Sequence, residues 1–162
     1  MNSNKFKNVV ENCHLKWLSS VLSLKINTKD GIDLSNETIG VELKSKYSIY
    51  SKRFAIHSYQ VDKFREQNPD KVLFWCLLCY GLSKKPIEIK KEALEDLLTI
   101  REAWFLEWDW VRQFPISTKP KTGPYIYVGI RDFSDKLNFH NVYRNKSSLH
   151  IPMNSILENM IK

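Results

Sequence analysis

The sequence predicts an α/β fold in which a central mixed β-sheet is flanked by helices, and three stretches carry that expectation. A helical stripe of apolar residues opens the chain between Phe6 and Leu24. A hairpin pattern follows from Gly31 to Lys46, with two apolar arms around a polar Ser35-Asn36-Glu37-Thr38 centre. The run Val72 to Tyr80 is apolar on both alternations, as an interior strand covered on both faces is.

Composition bounds the reading. A chain of 162 residues is most simply one domain, and 43% hydrophobic residues with five Trp, seven Tyr and eight Phe make it globular, not a disordered arm. The net charge of +7 favours an anionic partner, nucleic acid ahead of a membrane surface. The longest apolar run, Val72 to Tyr80, falls short of the ~20 residues a membrane span needs. Met1 leads into the amphipathic pattern without a signal-peptide block, so the expected compartment is the cytoplasm. Three cysteines, an odd number, fit reduced thiols there. On a strand Cys76 and Cys79 point to opposite faces, which argues against zinc. There is no internal repeat, Gly-rich phosphate loop, zinc-finger spacing or nucleophile elbow.

In the first helix, residues 6, 10, 13, 17, 21 and 24 form one stripe. Glu11 adjoins it with Leu15, Leu18 and Leu22, at the edge of the buried face near the helix start, where the dipole also favours an acid. Lys25 to Asp30 is a polar connector. In the hairpin, a turn centred on Asn36 and Glu37 sets Leu34 opposite Ile39 and Asp33 opposite Gly40. Asp33, Glu42 and Lys44 then share one face, and Ile32, Val41 and Leu43 take the other. Gly40 opposite Asp33 predicts a side-chain-sized gap. Two carboxylates beside a gap suit a hard cation such as Mg²⁺. With a lysine two residues on, this is the set that phosphodiester hydrolysis requires.

Beyond the hairpin, Lys46, Lys52 and Arg53 cluster with Tyr47 and Tyr50, suited to a phosphate backbone or to a solvated loop. Phe54 to Gln67 reads as a helix, in which His57 is structural. After the interior strand, Gly81 to Pro86 forms a basic loop with Lys84 and Lys85. Residues 88–109 hold seven acids against three bases and should face away from a polyanion. Within them Glu92 to Ile100 reads as a helix. Ala103 to Val111 reads as a strand, with Trp104, Trp108 and Trp110 beside Leu106 on one face and Glu107 and Asp109 on the other. The breaker-rich loop Lys119 to Pro124, which includes Lys121, precedes a strand at Tyr125 to Ile130. Residues 119–149 hold six bases against two acids, with Arg144 and Lys146 among polar residues able to meet phosphates or base edges. A short helix capped by Asn154 or Ser155 ends at Ile161.

Asp33, then eight residues, then Glu42-Leu43-Lys44 behind an apolar lead-in resembles the signature of the PD-(D/E)xK nucleases, with Ile32 where the family has proline. Glu11 matches the acid that the family often carries on a preceding helix, and residues 53–80 match its following helix and buried strand. The resemblance covers roughly the first half of the chain. A second match, Pro69-Asp70 with Glu88-Ile89-Lys90, has a full strand and a loop between its halves, too long for a hairpin that joins them.

The resemblance implies a restriction-endonuclease-like fold, with a catalytic core at about 1–90 and a recognition or dimerisation region at about 103–151 of a single domain 1–162. It implies a Mg²⁺-dependent DNA endonuclease, Mn²⁺ substituting. Asp33, Glu42 and the Leu43 carbonyl would hold the metal, Glu11 would complete or orient the site, and Lys44 would position the attacking water. Gln60 matches a Gln or Lys that several branches carry on the helix after the signature. A compact basic chain looks like a restriction-type enzyme that cuts both strands as a homodimer. A structure-selective enzyme resembling the Holliday-junction resolvases is the alternative, and a non-catalytic nucleic-acid-binding protein on the same fold is the third reading.

Overall fold

A computed structural model of the chain describes residues 3–28, 31–47, 53–82, 98–119, 123–129 and 140–144. Helix α1 (Ser3–Leu22) buries Val10, Leu15, Leu18 and Leu22, the helical spacing of a core-facing stripe. It stops where Ser23 takes a φ of 55°, and Ser19 Oγ donates to the Leu24 carbonyl at 2.6 Å to close the end. The chain continues through β1 (Lys25–Ile26), β2 (Leu34–Ser35), β3 (Ile39–Tyr47), β4 (Arg53–His57), α2 (Ser58–Gln67), β5 (Val72–Leu82) and β6 (Leu98–Glu107). A 3-10 helix (Trp108–Gln113), β7 (Ile116–Lys119), β8 (Gly123–Gly129) and β9 (His140–Arg144) follow.

The strands make two sheets. The larger runs β1-β2-β3-β5-β6-β9, and the smaller runs β4-β8-β7. β3 and β5 are parallel while every other pairing is antiparallel, so the larger sheet is mixed and the fold is α/β. Alternation along β5 feeds two cores. Phe74, Cys76, Leu78 and Tyr80 meet α1 on one face; Leu73, Trp75, Leu77 and Cys79 meet α2 and the smaller sheet on the other. Cys76 and Cys79 do point apart.

Several expectations are corrected. Phe54 to Gln67 is not one helix: residues 53–57 form β4, where Phe54 and Ile56 are buried and Arg53 and Ala55 exposed, a period of two fixed by pairing with β8. Leu98 to Ile100 lie in a strand, not a helix, because Leu98 pairs with Leu82 across an antiparallel ladder. The expected strand at 103–111 ends at Glu107. There Trp108 turns inward, stacks on Trp75 at 4.0 Å between ring centroids, and donates from Nε1 to the Val61 carbonyl at 2.8 Å. The hairpin register also differs: Leu34 pairs with Val41 and Ser35 with Gly40. Asn36 sets it, since its Oδ1 accepts from the Thr38 and Ile39 amides at 3.0 and 2.7 Å. The gap at Gly40 does not exist, because a Cβ there would lie 2.7 Å from Leu73 Cδ2 and 3.2 Å from Ile32 Cγ2. Ile32 accordingly packs in the second core, opposite Val41 and Leu43. The expected helix at 154–161, and residues 92–97 of the other, lie outside the described residues.

His14 is 1% exposed, lies 4.9 Å from the Tyr80 ring, and has neither ring nitrogen hydrogen-bonded among the described residues. Burial lowers its pKa to about 4 from an ordinary 6.5. Between those values the unfolded chain takes up a proton that the folded chain refuses. The stability His14 allows is therefore complete above pH 6.5 and declines as pH falls towards 4, by on the order of 3 kcal/mol. Urea midpoints from pH 7.5 to 4.5 should drop less steeply for His14→Phe than for the parent; equal slopes would refute the assignment.

Candidate active site

The centre of β3 holds the three residues of the signature. Glu42 is 3% exposed and aligns with Trp75 of β5, so its carboxylate sits on the second core's face among apolar side chains. Lys44 reaches back along the same face, with Nζ 2.6 Å from Glu42 Oε1 and 5.9 Å from the centre of the Trp75 ring. The other carboxylate oxygen, Glu42 Oε2, is buried with no hydrogen-bond partner among the described residues. A buried acceptor without a donor is costly and calls for a proton or a cation.

Asp33 reaches this point because the observed register differs from the expected one by two residues, which preserves the face and brings Asp33 up beside Glu42. Its Oδ2 accepts from the Leu43 backbone N–H at 2.7 Å. In a strand the N–H and C=O of one residue point to the same edge, so the Leu43 carbonyl is presented on Asp33's side. Asn27 fixes the arm: its N–H donates to the Asp33 carbonyl at 2.8 Å, and its Nδ2 donates to the Ile32 carbonyl at 2.7 Å. In the sequence Asn27 falls within the polar connector Lys25 to Asp30. An amide residue ahead of the Gly31 turn was the available signal.

The electrostatics follow from the burial. Desolvation pushes the Glu42 carboxyl up to about 8, with Asp33 adding to the rise and Lys44 opposing it. The Asp33 carboxyl is also raised by desolvation, against the Leu43 amide and Lys44. Each acid acts on the other, Asp33 adding to the rise of Glu42. Two desolvated carboxyls so placed coexist only by sharing a proton or a cation. Glu11, an exposed residue of α1, is raised by desolvation and then by the charge of Asp33, with Lys44 opposing. Four predicted residues, Glu11, Asp33, Glu42 and Lys44, are therefore electrostatically coupled.

These donors fit a divalent cation of the hard class: two carboxyls, one with an oxygen that has no partner among the described residues, and a backbone carbonyl on the same side. Among the described residues no group of three or more His, Cys, Asp or Glu side chains is assembled. Water or phosphate oxygens would complete the set, as Mg²⁺ favours. Glu11 stands back from the pair and acts on it through charge.

The remaining predicted residues divide. Gln60 lies in the first turn of α2, its Oε1 buried without a partner among the described residues. Lys46 donates from Nζ to the Arg53 carbonyl, which ties the larger sheet to the smaller one. Arg53 is exposed at the start of β4. Lys119 ends β7 on the smaller sheet, whereas Arg144 ends β9 at the far edge of the larger sheet, so the two do not share a strand layer. Lys52, Lys84, Lys85, Lys121 and Lys146 lie outside the described residues, as do Glu88 to Lys90 of the second match; Asp70 is exposed. His57, expected from the sequence to be structural, has its pKa lowered by burial and then by the charge of Lys44, so it feels the field of the site.

No protein-family model matches this chain, and no curated protein is similar to it at a significant level. Among the described residues no helix is long and apolar enough to cross a membrane.

Proposed function

We propose that this chain is a Mg²⁺-dependent DNA endonuclease that hydrolyses phosphodiester bonds, with Asp33, Glu42 and the Leu43 carbonyl as metal donors. The observation that carries the reading is the buried Glu42 Oε2, without a partner among the described residues, beside Asp33, with Lys44 paired to the other oxygen. An apolar strand centre has no structural use for two acids, and a pure binding surface has no reason to aim them at a polyanion. The bound cation would supply Lewis acidity and lower the pKa of water. Lys44, 23% exposed at its side chain, reaches from the carboxylate towards solvent, where it can orient the attacking water and offset charge on the pentavalent phosphorus. Glu11 adds negative potential that favours the cation. The excess of 25 Lys and Arg over 18 Asp and Glu draws in the polyanion.

Two substrates suit this centre. Restriction-type cutting of duplex DNA calls for a homodimer that presents two such sites. A structure-selective enzyme that cuts branched DNA is the second reading, favoured by the exposed rings of Tyr59 and Tyr127, which unpaired bases could stack on. Plasmid DNA and a branched duplex of matching sequence, each incubated with Mg²⁺, separate them. Cutting should vanish with EDTA and with Lys44→Ala, while the circular dichroism of the variant matches the parent. Cleavage retained by Lys44→Ala would overturn the assignment; salt-sensitive binding without cleavage would leave a binding protein.

A further inference from the structure

The smaller sheet has one buried face and one open face. Phe54, Ile56, Ile126 and Val128 point into the second core. The alternate residues point the other way, and the register sets Arg53 beside Gly129, Ala55 beside Tyr127 and His57 beside Tyr125. The His57 and Tyr125 rings lie 4.1 Å apart, Tyr125 and Tyr127 6.1 Å, and His57 and Tyr59 of α2 5.3 Å. Tyr59 is 54% exposed and Tyr127 36%. Ala55 is too small to cover the Tyr127 ring beside it.

An aromatic row on an exposed sheet has a hydrophobic cost that a monomer normally avoids. Its position is informative. His57 ends the row where the charge of Lys44 still reaches it, and Arg53 begins β4 on the same face, so positive charge acts at both ends of the row.

We propose that this face is a stacking platform for unpaired bases, and that the preferred substrate of the site is DNA with a single-stranded segment. In a duplex the base faces are hidden, and successive bases advance about 3.4 Å along a strand. Tyr125 and Tyr127, at 6.1 Å between centroids, are spaced for bases splayed apart and not for a continuous stack. Rings on a sheet accept unpaired bases of any sequence because each base has a π face, while cations track the backbone. The inference rests on the nuclease reading only in taking DNA as the partner, because the platform works without catalysis.

The test is made on the full chain in EDTA, so that cleavage does not enter. The probes are a single-stranded oligonucleotide carrying 2-aminopurine and the same sequence as a duplex. The single strand should bind more tightly and its 2-aminopurine fluorescence should be quenched on binding. Tyr59→Leu and Tyr127→Leu, both at exposed positions, should each weaken single-strand binding on the order of tenfold and reduce the quench, leaving duplex binding unchanged. The Tyr→Phe versions should keep both signals. Unaltered single-strand affinity in both Leu variants, or an equal loss on duplex, would overturn the platform. So would a change in self-association alone, which would make the face a contact between copies. A quenched, Tyr-dependent complex in a protein that never cuts with Mg²⁺ would keep the platform and remove the nuclease reading.

Discussion

A Glu42→Gln protein is expected to lose Mg²⁺-dependent cleavage by on the order of 10³-fold and yet, in EDTA, to melt above the parent at alkaline pH. The two effects share a cause. Glu42 is buried, and its carboxyl is raised to about 8 from an ordinary 4.5. Between those values the folded protein holds a proton that the unfolded chain releases, so the parent loses stability as pH rises through this window. Glutamine keeps the shape without the charge and can donate to Asp33. Lys44, left without its partner, still reaches water. The advantage of the variant should therefore be small at pH 5 and grow to pH 9. A variant that is destabilised at every pH would show that the Glu42 charge serves the fold. The cation gives a second readout: Mg²⁺ should raise the melting temperature of the parent and leave Glu42→Gln unmoved, and equal shifts would place the ion elsewhere.

Trp108→Ala should cost about 3–5 kcal/mol of stability. The indole is 1% exposed, stacks on Trp75 with planes 10° apart, and donates to the Val61 carbonyl of α2. Its own carbonyl accepts from Trp75 Nε1 at 3.1 Å. One side chain thus joins α2, β5 and the 3-10 helix, and its removal opens a large cavity at their junction. The effect extends to the site, because Trp75 carries the Lys44 ammonium over its ring. Trp108→Phe keeps an aromatic ring but loses the donor, and should cost about 1–3 kcal/mol. Urea unfolding measures both. A cost below about 1 kcal/mol for the alanine variant would show that the smaller sheet is held in place by other contacts.

Features that depend on local period are legible in the amino-acid sequence. The stripe of α1, the double-sided burial of β5 and the common face of Asp33, Glu42 and Lys44 all follow from 3.6 residues per helical turn or two per strand repeat. The shared face survived an error in register because a slip of two residues leaves parity unchanged. Features that depend on partners distant along the chain emerge on folding alone. Leu73 of β5 fills the space expected at Gly40, β8 converts the apolar pattern at 53–57 into a strand, and Val61 draws Trp108 out of β6. His57 came against Tyr125 and into the field of Lys44 in the same way. A backbone repeat is a property of each segment alone, whereas register, burial and the meeting of two sheets are set by which distant side chains pack together.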